Sequence, residues 1–244
     1  MKILLYGAES GTLKGELAKY PDFDVVDDDP DVVVSYGGDG TLLSAELQWP
    51  GVPKVPIKNS RRGIRCMPHP PAEVIGRLAS NRLVRTEFLK LECALRRQDQ
   101  AEPACYLTAM NEFNVHMGRI NSAVRYRLYV DGEAYDGDDE IIGDGFVVST
   151  PFGSTAYFNH LTRGVFHAGI GIAFKAPTNH TSHVVVPDTA VVRVVICRGP
   201  AVLAFDNSTD YRELDAGDEL SIRRHAYPAV VYTWQPMSHP SDKF

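Results

Sequence analysis

The sequence predicts an α/β N-terminal domain followed by a β-rich second domain, and three features carry that reading. Before residue 50, short apolar runs alternate with stretches of helical spacing, the pattern of strand, turn and helix units. From about residue 86 the texture changes to short alternating runs broken by Gly, Asp and Pro, the mark of a sheet-rich fold. The length, 244 residues, allows one large domain or two smaller ones, either of which buries a sizeable core. No internal repeat or low-complexity segment is present. The boundary is expected between residues 80 and 90, giving domains 1–88 and 89–244, with the C-terminal tail a candidate to return to the first domain.

KILLY (2–6) is a β-rich run ending at Gly7, and TLKGELAKY (12–20) has helical spacing. Gly7 and Gly11 suit either a phosphate turn or a plain strand-to-helix connection, but the pattern G-x-x-x-x-G-K-[ST] is absent. DVVDDDPD (24–31) reads as a solvated acidic turn; as metal ligands, Asp27–Asp29 lack the glycine and closing glutamate of a calcium loop. The continuous β-branched run DVVVSY (31–36) predicts a buried strand, and TLLSAELQ (41–48) a helix. WPGVPKVPIKNSRRGIR (49–65), with three prolines and a basic cluster, predicts a loop and a short strand. PAEVIGRLAS (71–80) predicts a helix with Pro71 in its first turn. Beyond it, FLKLECALRR, CYLTAMNEFNVHM, VRYRLYVDG, DGFVVST, VVRVVICR, AVLAFDN, ELSIRR and AVVYTW read as strands.

Composition narrows the function classes. With 44% apolar and 23% charged residues the chain is an ordinary soluble globular protein, and its net charge of −6 argues against a nucleic acid partner. An anionic ligand needs local help from amides, a metal or a few arginines. The apolar run of MKILLYG stops at Gly7, too short for a signal-peptide core or a membrane span, so the expectation is a cytoplasmic protein with no membrane partner. Cys66, Cys93, Cys105 and Cys197 are scattered without a C-x-x-C pair and are expected as idle or buried thiols.

SYGGDGTLLSAEL (35–47) places Asp39 in a glycine turn that leads into a helix, where backbone N–H groups and the helix N-terminus favour anions. A carboxylate there repels phosphate unless a cation lies between them or the carboxylate has a proton to remove. The Rossmann G-x-G-x-x-G pattern fails at its final glycine. Two readings stay open. In one, Gly37, Gly38 and Gly40 supply positive φ for a tight turn and Asp39 or Thr41 caps the helix. In the other, the glycines admit a polyphosphate, Thr41 donates its hydroxyl, and Asp39 acts on an acceptor hydroxyl, on a metal, or on both.

DGFVVSTPFGSTAY (144–157) runs a strand into a turn shaped by Pro151 and Gly153 and lined by Ser154 and Thr155 before Tyr157. Taken singly, Asp144-Gly145 reads as a hairpin turn, Asn111-Glu112 as a surface pair, and Ser154 or Thr155 as a helix cap. Taken together, GGDGT (37–41), NE (111–112) and DGFVVSTPFGSTAY, in that order, resemble the signatures of the NAD kinase family. The likeness runs from residue 31 to about 222 through VVVPDTAVVRV (184–194) and FDN (205–207). GGDGT is shared with diacylglycerol and sphingosine kinases, whereas the TP-x-GSTAY block is far more specific.

The resemblance implies an α/β domain, a β-sandwich-like domain and NAD bound between them. It implies transfer of the terminal phosphoryl of ATP to the 2′-hydroxyl of NAD's adenosine ribose, giving NADP, with a divalent cation such as Mg²⁺. Asp39 becomes general base or metal-linked acid, and Mg²⁺ is carried by the substrate phosphates and Asp39 rather than by a dedicated ligand set. Gly37, Gly38, Gly40, Thr41 and Arg62 become contacts to the nucleotide phosphates. Asn111 and Glu112 hold the adenosine part, and Asp144 meets the nicotinamide end. Thr150, Ser154, Thr155, Tyr157 and Asp206 complete the NAD-binding set. The family also implies a homodimer or homotetramer.

The chain departs from the family pattern in two places. KNSRRGIRCM (58–67) replaces Asn-x-Gly-x-x-Gly-Phe, keeping Asn59 and Gly63; its arginines either bind phosphate or solvate a loop. NHLTRGVF (159–166) puts Arg163 where a glycine is expected, which bears on the choice between NAD and NADH. His180 and His183 are spaced to share a metal on a helix, yet NHTSH (179–183) reads as a loop. No G-x-S-x-G hydrolase elbow is present. The rival functions are a GGDGT-type lipid kinase, which needs a basic or amphipathic membrane face, and a nucleotide-binding regulator that kept the pocket and lost catalysis.

Overall fold

In the computed structural model, which describes residues 1–178 and 182–236, the chain begins with β1 (Lys2–Tyr6), α1 (Lys14–Leu17), β2 (Asp24–Val25) and β3 (Val32–Gly37). It continues with α2 (Asp39–Gln48), β4 (Lys54–Lys58), α3 (Pro71–Ala79), β5 (Val84–Phe88), β6 (Leu91–Arg96) and β7 (Cys105–Ala109). Next come β8 (Glu112–Met117), β9 (Val124–Val130), β10 (Glu133–Asp138), β11 (Ile141–Gly143), β12 (Gly145–Ser149) and α4 (Tyr157–Thr162). The remaining strands are β13 (Ile170–Lys175), β14 (His183–Val186), β15 (Val192–Arg198), β16 (Ala201–Phe205), β17 (Arg212–Leu214), β18 (Glu219–Arg224) and β19 (Ala229–Thr233). They form two units: Met1–Phe88 with the segment that starts at Tyr227, and Leu89–Ala226.

The first unit is built on a sheet of order β2-β1-β3-β4-β19-β5, parallel as far as β19 and closed by antiparallel β5. The β-branched run of β3 is buried along Val32–Ser35, as expected of a central parallel strand covered on both faces. The helix expected over 12–20 shrinks to a 3₁₀ turn, Ser10–Leu13, and the single turn of α1. Gly11 and Gly15 lower helix propensity there, and Pro21 follows. The acidic run yields the two-residue β2 and a solvent-exposed Lys2–Asp29 ion pair of 2.7 Å. Among the described residues no cluster of three or more His, Cys, Asp and Glu side chains suits a metal.

A buried ion pair ties α2 to the sheet. Lys54, fully buried on β4, donates to the Glu46 carboxylate of α2 and to the Trp49 carbonyl that follows the helix. Two acceptors on one ammonium offset part of the cost of removing it from water. After β19, Trp234 lies stacked on His69 with ring centroids 3.6 Å apart, and the Arg77 guanidinium sits 3.7 Å from its ring.

The second unit holds two antiparallel sheets, of order β10-β9-β15-β18-β6-β7, with β11 also on β9, and β14-β13-β12-β8-β16-β17. Alternating burial along β6, β15 and β16 gives each of them one inward face. Strands β12 and β13 are buried along their whole length, and their side chains show why. Phe146 packs on Tyr126 of the other sheet, at 4.8 Å between centroids, whereas Val147 and Ala173 pack on Phe158 of α4. Helix α4 therefore covers the second face of these two strands. Among the described residues no helix is long and apolar enough to cross a membrane.

Candidate functional site

Three loops of the first unit leave the C-terminal ends of parallel strands β1, β3 and β4, the edge where open α/β sheets bind ligands. They are tied together: Asn59 donates its backbone N–H to the Gly37 carbonyl at 2.7 Å and its side-chain amide to Glu9 at 2.9 Å. Gly37 and Gly38 do not adopt the positive φ that a tight turn would ask of them. Close approach is the reason for glycine instead. A Cβ on Gly37 would stand 2.2 Å from the Thr41 hydroxyl, and one on Gly38 would stand 2.8 Å from the Ser60 hydroxyl. Gly38 is the N-cap of α2 and no side chain caps the helix, so neither Asp39 nor Thr41 plays that part.

Asp39 opens α2, and its carboxylate is oriented by the 58–67 loop. One oxygen accepts the Arg65 N–H at 2.7 Å and the other the Ile64 N–H at 3.1 Å. An ionised carboxylate has about four acceptor sites, so two amides fix its direction and leave capacity for a hydroxyl or a cation. The Cys66 thiol lies 3.9 Å away, and burial, then the Asp39 charge, push it up to about 12. That thiol stays protonated at neutral pH. Beside this turn opens a groove of about 500 Å³ lined by Lys58, Asn59, Ser60, Arg61 and Pro68. The expected phosphate contact Arg62 is exposed and does not line the groove; Lys58 and Arg61 do.

In the second unit, three segments far apart in sequence are clasped together. The Asp206 carboxylate accepts backbone N–H groups from Met110 at 2.8 Å, Asn111 at 2.7 Å and Glu112 at 3.3 Å. Thr150 donates its hydroxyl to the Met110 carbonyl at 2.6 Å and accepts from Gly153 N–H at 3.0 Å, while its own N–H reaches the Asn111 carbonyl at 2.8 Å. Gly153 packs directly against that backbone: a Cβ there would lie 2.2 Å from the Asn111 carbonyl oxygen. The Ser154 hydroxyl is fully buried between the Pro151 carbonyl, 2.7 Å, and the Phe166 carbonyl, 3.2 Å. The Thr150 and Ser154 hydroxyls and the Asp206 carboxylate all bond backbone groups, so these three expected NAD-binding residues hold the clasp together. Asn111, Asp144, Thr155 and Tyr157 remain half-buried. Asp144-Gly145 is not a hairpin turn, since Gly145 begins β12 at φ +129 and pairs with β8 and β13.

Glu112 is the electrostatic anomaly of this cluster. It is buried, its Oε2 has no hydrogen-bond partner, and burial, then the Asp206 charge, raise its carboxyl to about 8. Within reach of its charge is Lys175, at the end of β13, which burial lowers to about 8 against the pull of Asp144 and Glu112. The ammonium donates to Asn114 Oδ1 and, at 2.7 Å, to the Val115 carbonyl, and lies 5.2 Å from the centre of the Tyr157 ring. Sequence reasoning missed both Lys175 and Asn114. The one available signal was a lysine closing the apolar run IGIAF.

The profile of the ATP-NAD kinase C-terminal domain matches residues 110–233, just over half of the chain and all of this clasp. The chain belongs to the ATP-NAD kinase family. Among curated relatives, the NAD kinase of Methylococcus capsulatus is 29% identical over 229 residues, covering 87% of this chain and 73% of that protein. The NAD kinase of Teredinibacter turnerae is 27% identical over 179 residues, covering 68% of this chain and 58% of that protein, so the match spans less than two thirds of that relative. Two solved structures share the fold. Yeast NADH kinase complexed with NADH matches at a TM-score of 0.85 and 17% identity, covering 98% of this chain and 84% of that one. An NAD kinase from Archaeoglobus fulgidus in complex with ATP matches at 0.75 and 20% identity, covering 96% and 94%.

One departure of this ATP-NAD kinase family member from the family pattern now has a local explanation. Arg163 is the C-cap of α4 in the left-handed conformation, φ 61 and ψ 16, the backbone geometry that glycine adopts at least cost. His183 is the exposed first residue of β14; its imidazole bonds the Ser182 hydroxyl at 2.9 Å and meets the Phe158 ring edge-on at 5.6 Å. His180 lies outside the described residues.

Proposed function

We propose that this chain is an NAD kinase: it transfers the terminal phosphoryl of ATP to the 2′-hydroxyl of the adenosine ribose of NAD, giving NADP and ADP. The observation that carries the reading is the clasp of Asn111-Glu112, the TPFGSTAY turn and Asp206, within the span that the family profile matches. In this scheme Asn111 and Glu112 bind the adenosine ribose, and the unpartnered Glu112 Oε2 receives a ribose hydroxyl. Asp144 faces the nicotinamide end, and Thr155 and Tyr157 face the adenine. Asp39, aimed by two backbone amides, takes the 2′-hydroxyl proton as its oxygen bonds to the terminal phosphorus and ADP leaves. Gly37, Gly38, Gly40, Thr41, Lys58 and Arg61 hold the phosphates of the donor. A divalent cation fits the residues present: Mg²⁺ keeps much of its water and needs only one or two carboxylates beside substrate phosphates, and Asp39 is such a carboxylate. When bound, that cation neutralises charge on the phosphates. The same reading makes the enzyme cytoplasmic and homo-oligomeric.

The test is incubation of the pure protein with NAD, ATP and Mg²⁺, with product detected by an NADP-specific dehydrogenase. Turnover is expected, and Asp39→Asn is expected to lower kcat by at least ~10²-fold. Unchanged turnover in that variant removes Asp39 from the mechanism. NAD binding without product points to a regulator, and a phosphorylated lipid head group to a lipid kinase.

A further inference from the structure

The groove beside Asp39 has an aromatic stack at its rim that neither the motifs nor the proposed mechanism uses. Lys58 donates its N–H to the Met67 carbonyl at 3.0 Å, and Ile57 bridges Met67 in parallel register, so the chain from Met67 runs alongside the end of β4. That pairing brings Pro68 to the groove with Lys58, and the next residue is His69. The run MPHPP (67–71) restricts the backbone on both sides of the imidazole, because a proline fixes its own φ and confines the residue before it to extended conformations. His69 is therefore held in place next to the groove.

The imidazole is also backed. His69 lies 3.6 Å from Trp234, centroid to centroid and 16° from parallel, and the Arg77 guanidinium lies 3.7 Å from the centre of the Trp234 ring. Two planar groups so near one ring centre cannot share a face, so the indole is clamped between them. Arg77 by itself pins the segment after β19, through that contact and its hydrogen bond to the Trp234 carbonyl at 3.3 Å. His69 adds a second plate. It is half-buried, and Trp234 is its ring partner among the described residues, which leaves its other face for a planar ligand. Groove, plate and clamp all belong to the first unit.

A base linked to phosphates is well held where a cationic groove for the phosphates adjoins an aromatic ring on which the base stacks. Lys58 and Arg61 supply the groove, and the His69 plate backed by Trp234 supplies the ring. We propose that His69 is a specificity-determining residue that stacks the purine of the phosphoryl donor, selecting a nucleoside triphosphate over an inorganic polyphosphate. This rests on the assignment of the donor phosphates to Lys58 and Arg61, made under the proposed function. Because the prolines and Trp234 already order the plate, little conformational entropy is lost when a base lands on it. An inorganic polyphosphate reaches the same cations but gains nothing from the plate.

The test is calorimetric titration of the whole protein with ATP and with inorganic tripolyphosphate, each in the presence of Mg²⁺. The wild type is expected to bind ATP more tightly. His69→Ala is expected to weaken ATP by about tenfold, as loss of a stacking ring does for a bound base, and to leave tripolyphosphate within about twofold. His69→Phe keeps a flat ring and is expected to keep most of the ATP affinity. A purely structural role for His69 would weaken both ligands alike, so an unchanged ratio in His69→Ala overturns the inference. An ATP loss in His69→Phe equal to that in His69→Ala overturns it as well, since the effect is then not that of the ring. Should His69→Ala not fold, His69→Gln, polar and without a ring, gives the same reading, and tripolyphosphate bound by the wild type as tightly as ATP also overturns the inference. Binding of neither ligand overturns the inference and the assignment of the donor phosphates together, whereas binding of both with an unaltered ratio overturns the inference alone.

Discussion

Replacing Gly153 by alanine tests whether the contact between the TPFGSTAY turn and the Asn111 backbone builds the nucleotide pocket. The new methyl group would meet Asn111 backbone atoms at 2.2 to 2.6 Å, whereas ordinary contact begins near 3.4 Å, so the two segments must part by about 1 Å. No flexible side chain is there to yield. The Thr150 N–H to Asn111 carbonyl bond, 2.8 Å, and the Thr150 hydroxyl to Met110 carbonyl bond, 2.6 Å, would stretch with that separation. Overpacking costs about 1–3 kcal/mol and a lost buried hydrogen bond about 1 kcal/mol more, so Gly153→Ala is expected to destabilise by roughly 3 kcal/mol. Urea unfolding reads this as a lower midpoint at unchanged slope. Nearby Gly164 is the control: its Cβ would meet only the Thr162 hydroxyl, at 3.6 Å, and Gly164→Ala is expected to stay within about 0.5 kcal/mol of wild type. Equal midpoints for both variants, or a weakened Gly153→Ala with unaltered NADH and NAD affinity, would refute the clasp as the builder of the pocket.

Arg163→Gly relieves a left-handed residue at the end of α4 and is expected to raise stability by about 1 kcal/mol, seen as a higher urea midpoint. Lys54→Met strands the buried Glu46 carboxylate and should cost about 3–5 kcal/mol, while the double variant Lys54→Met/Glu46→Leu should recover most of it in the same assay. The Glu112 carboxyl is raised from 4.5 to about 8, so the folded state holds its proton more tightly than the unfolded chain. Its contribution to stability therefore falls as pH rises through that window, and Glu112→Gln is expected to flatten the fall in Tm between pH 5 and 8. Lys175 is lowered from 10.5 to about 8, so its contribution has the opposite sign and stability recovers above pH 8, an increase that Lys175→Met should remove.

The sequence made the strands of the first sheet readable because central parallel strands are apolar throughout, as Val32–Ser35 shows. The strand character of β12 was equally plain, whereas β13 went unread and so did the covering of both by α4: pattern alone cannot say what lies on the second face of a strand. Asp39 stood out because a carboxylate in an anion-favouring turn conflicts with its surroundings, and such local conflicts survive in a linear text. Lys175 did not stand out, since a lysine ending an apolar strand normally reaches water; only the fold shows Asn114, Val115 and Tyr157 closing over it. The part that Thr150, Ser154 and Asp206 play in holding the clasp was hidden for a related reason. A hydroxyl or carboxylate near a site looks alike in sequence whether it faces a ligand or holds a distant backbone segment. The choice between Arg61 and Arg62 depends on the path of an irregular loop, which carries no periodic signal.

The place of β19 in the first sheet bears on the order in which the molecule is made. It sits between β4 and β5, yet some 140 residues of the second unit leave the ribosome before it does. Until Ala229–Thr233 emerge, β4 and β5 each present a bare edge, while every strand of the second unit has already been synthesised. The nascent chain thus completes its inserted part first and its opening part last, and a ribosome that stalls shortly before Ala229 releases a product with one finished half and one adhesive half.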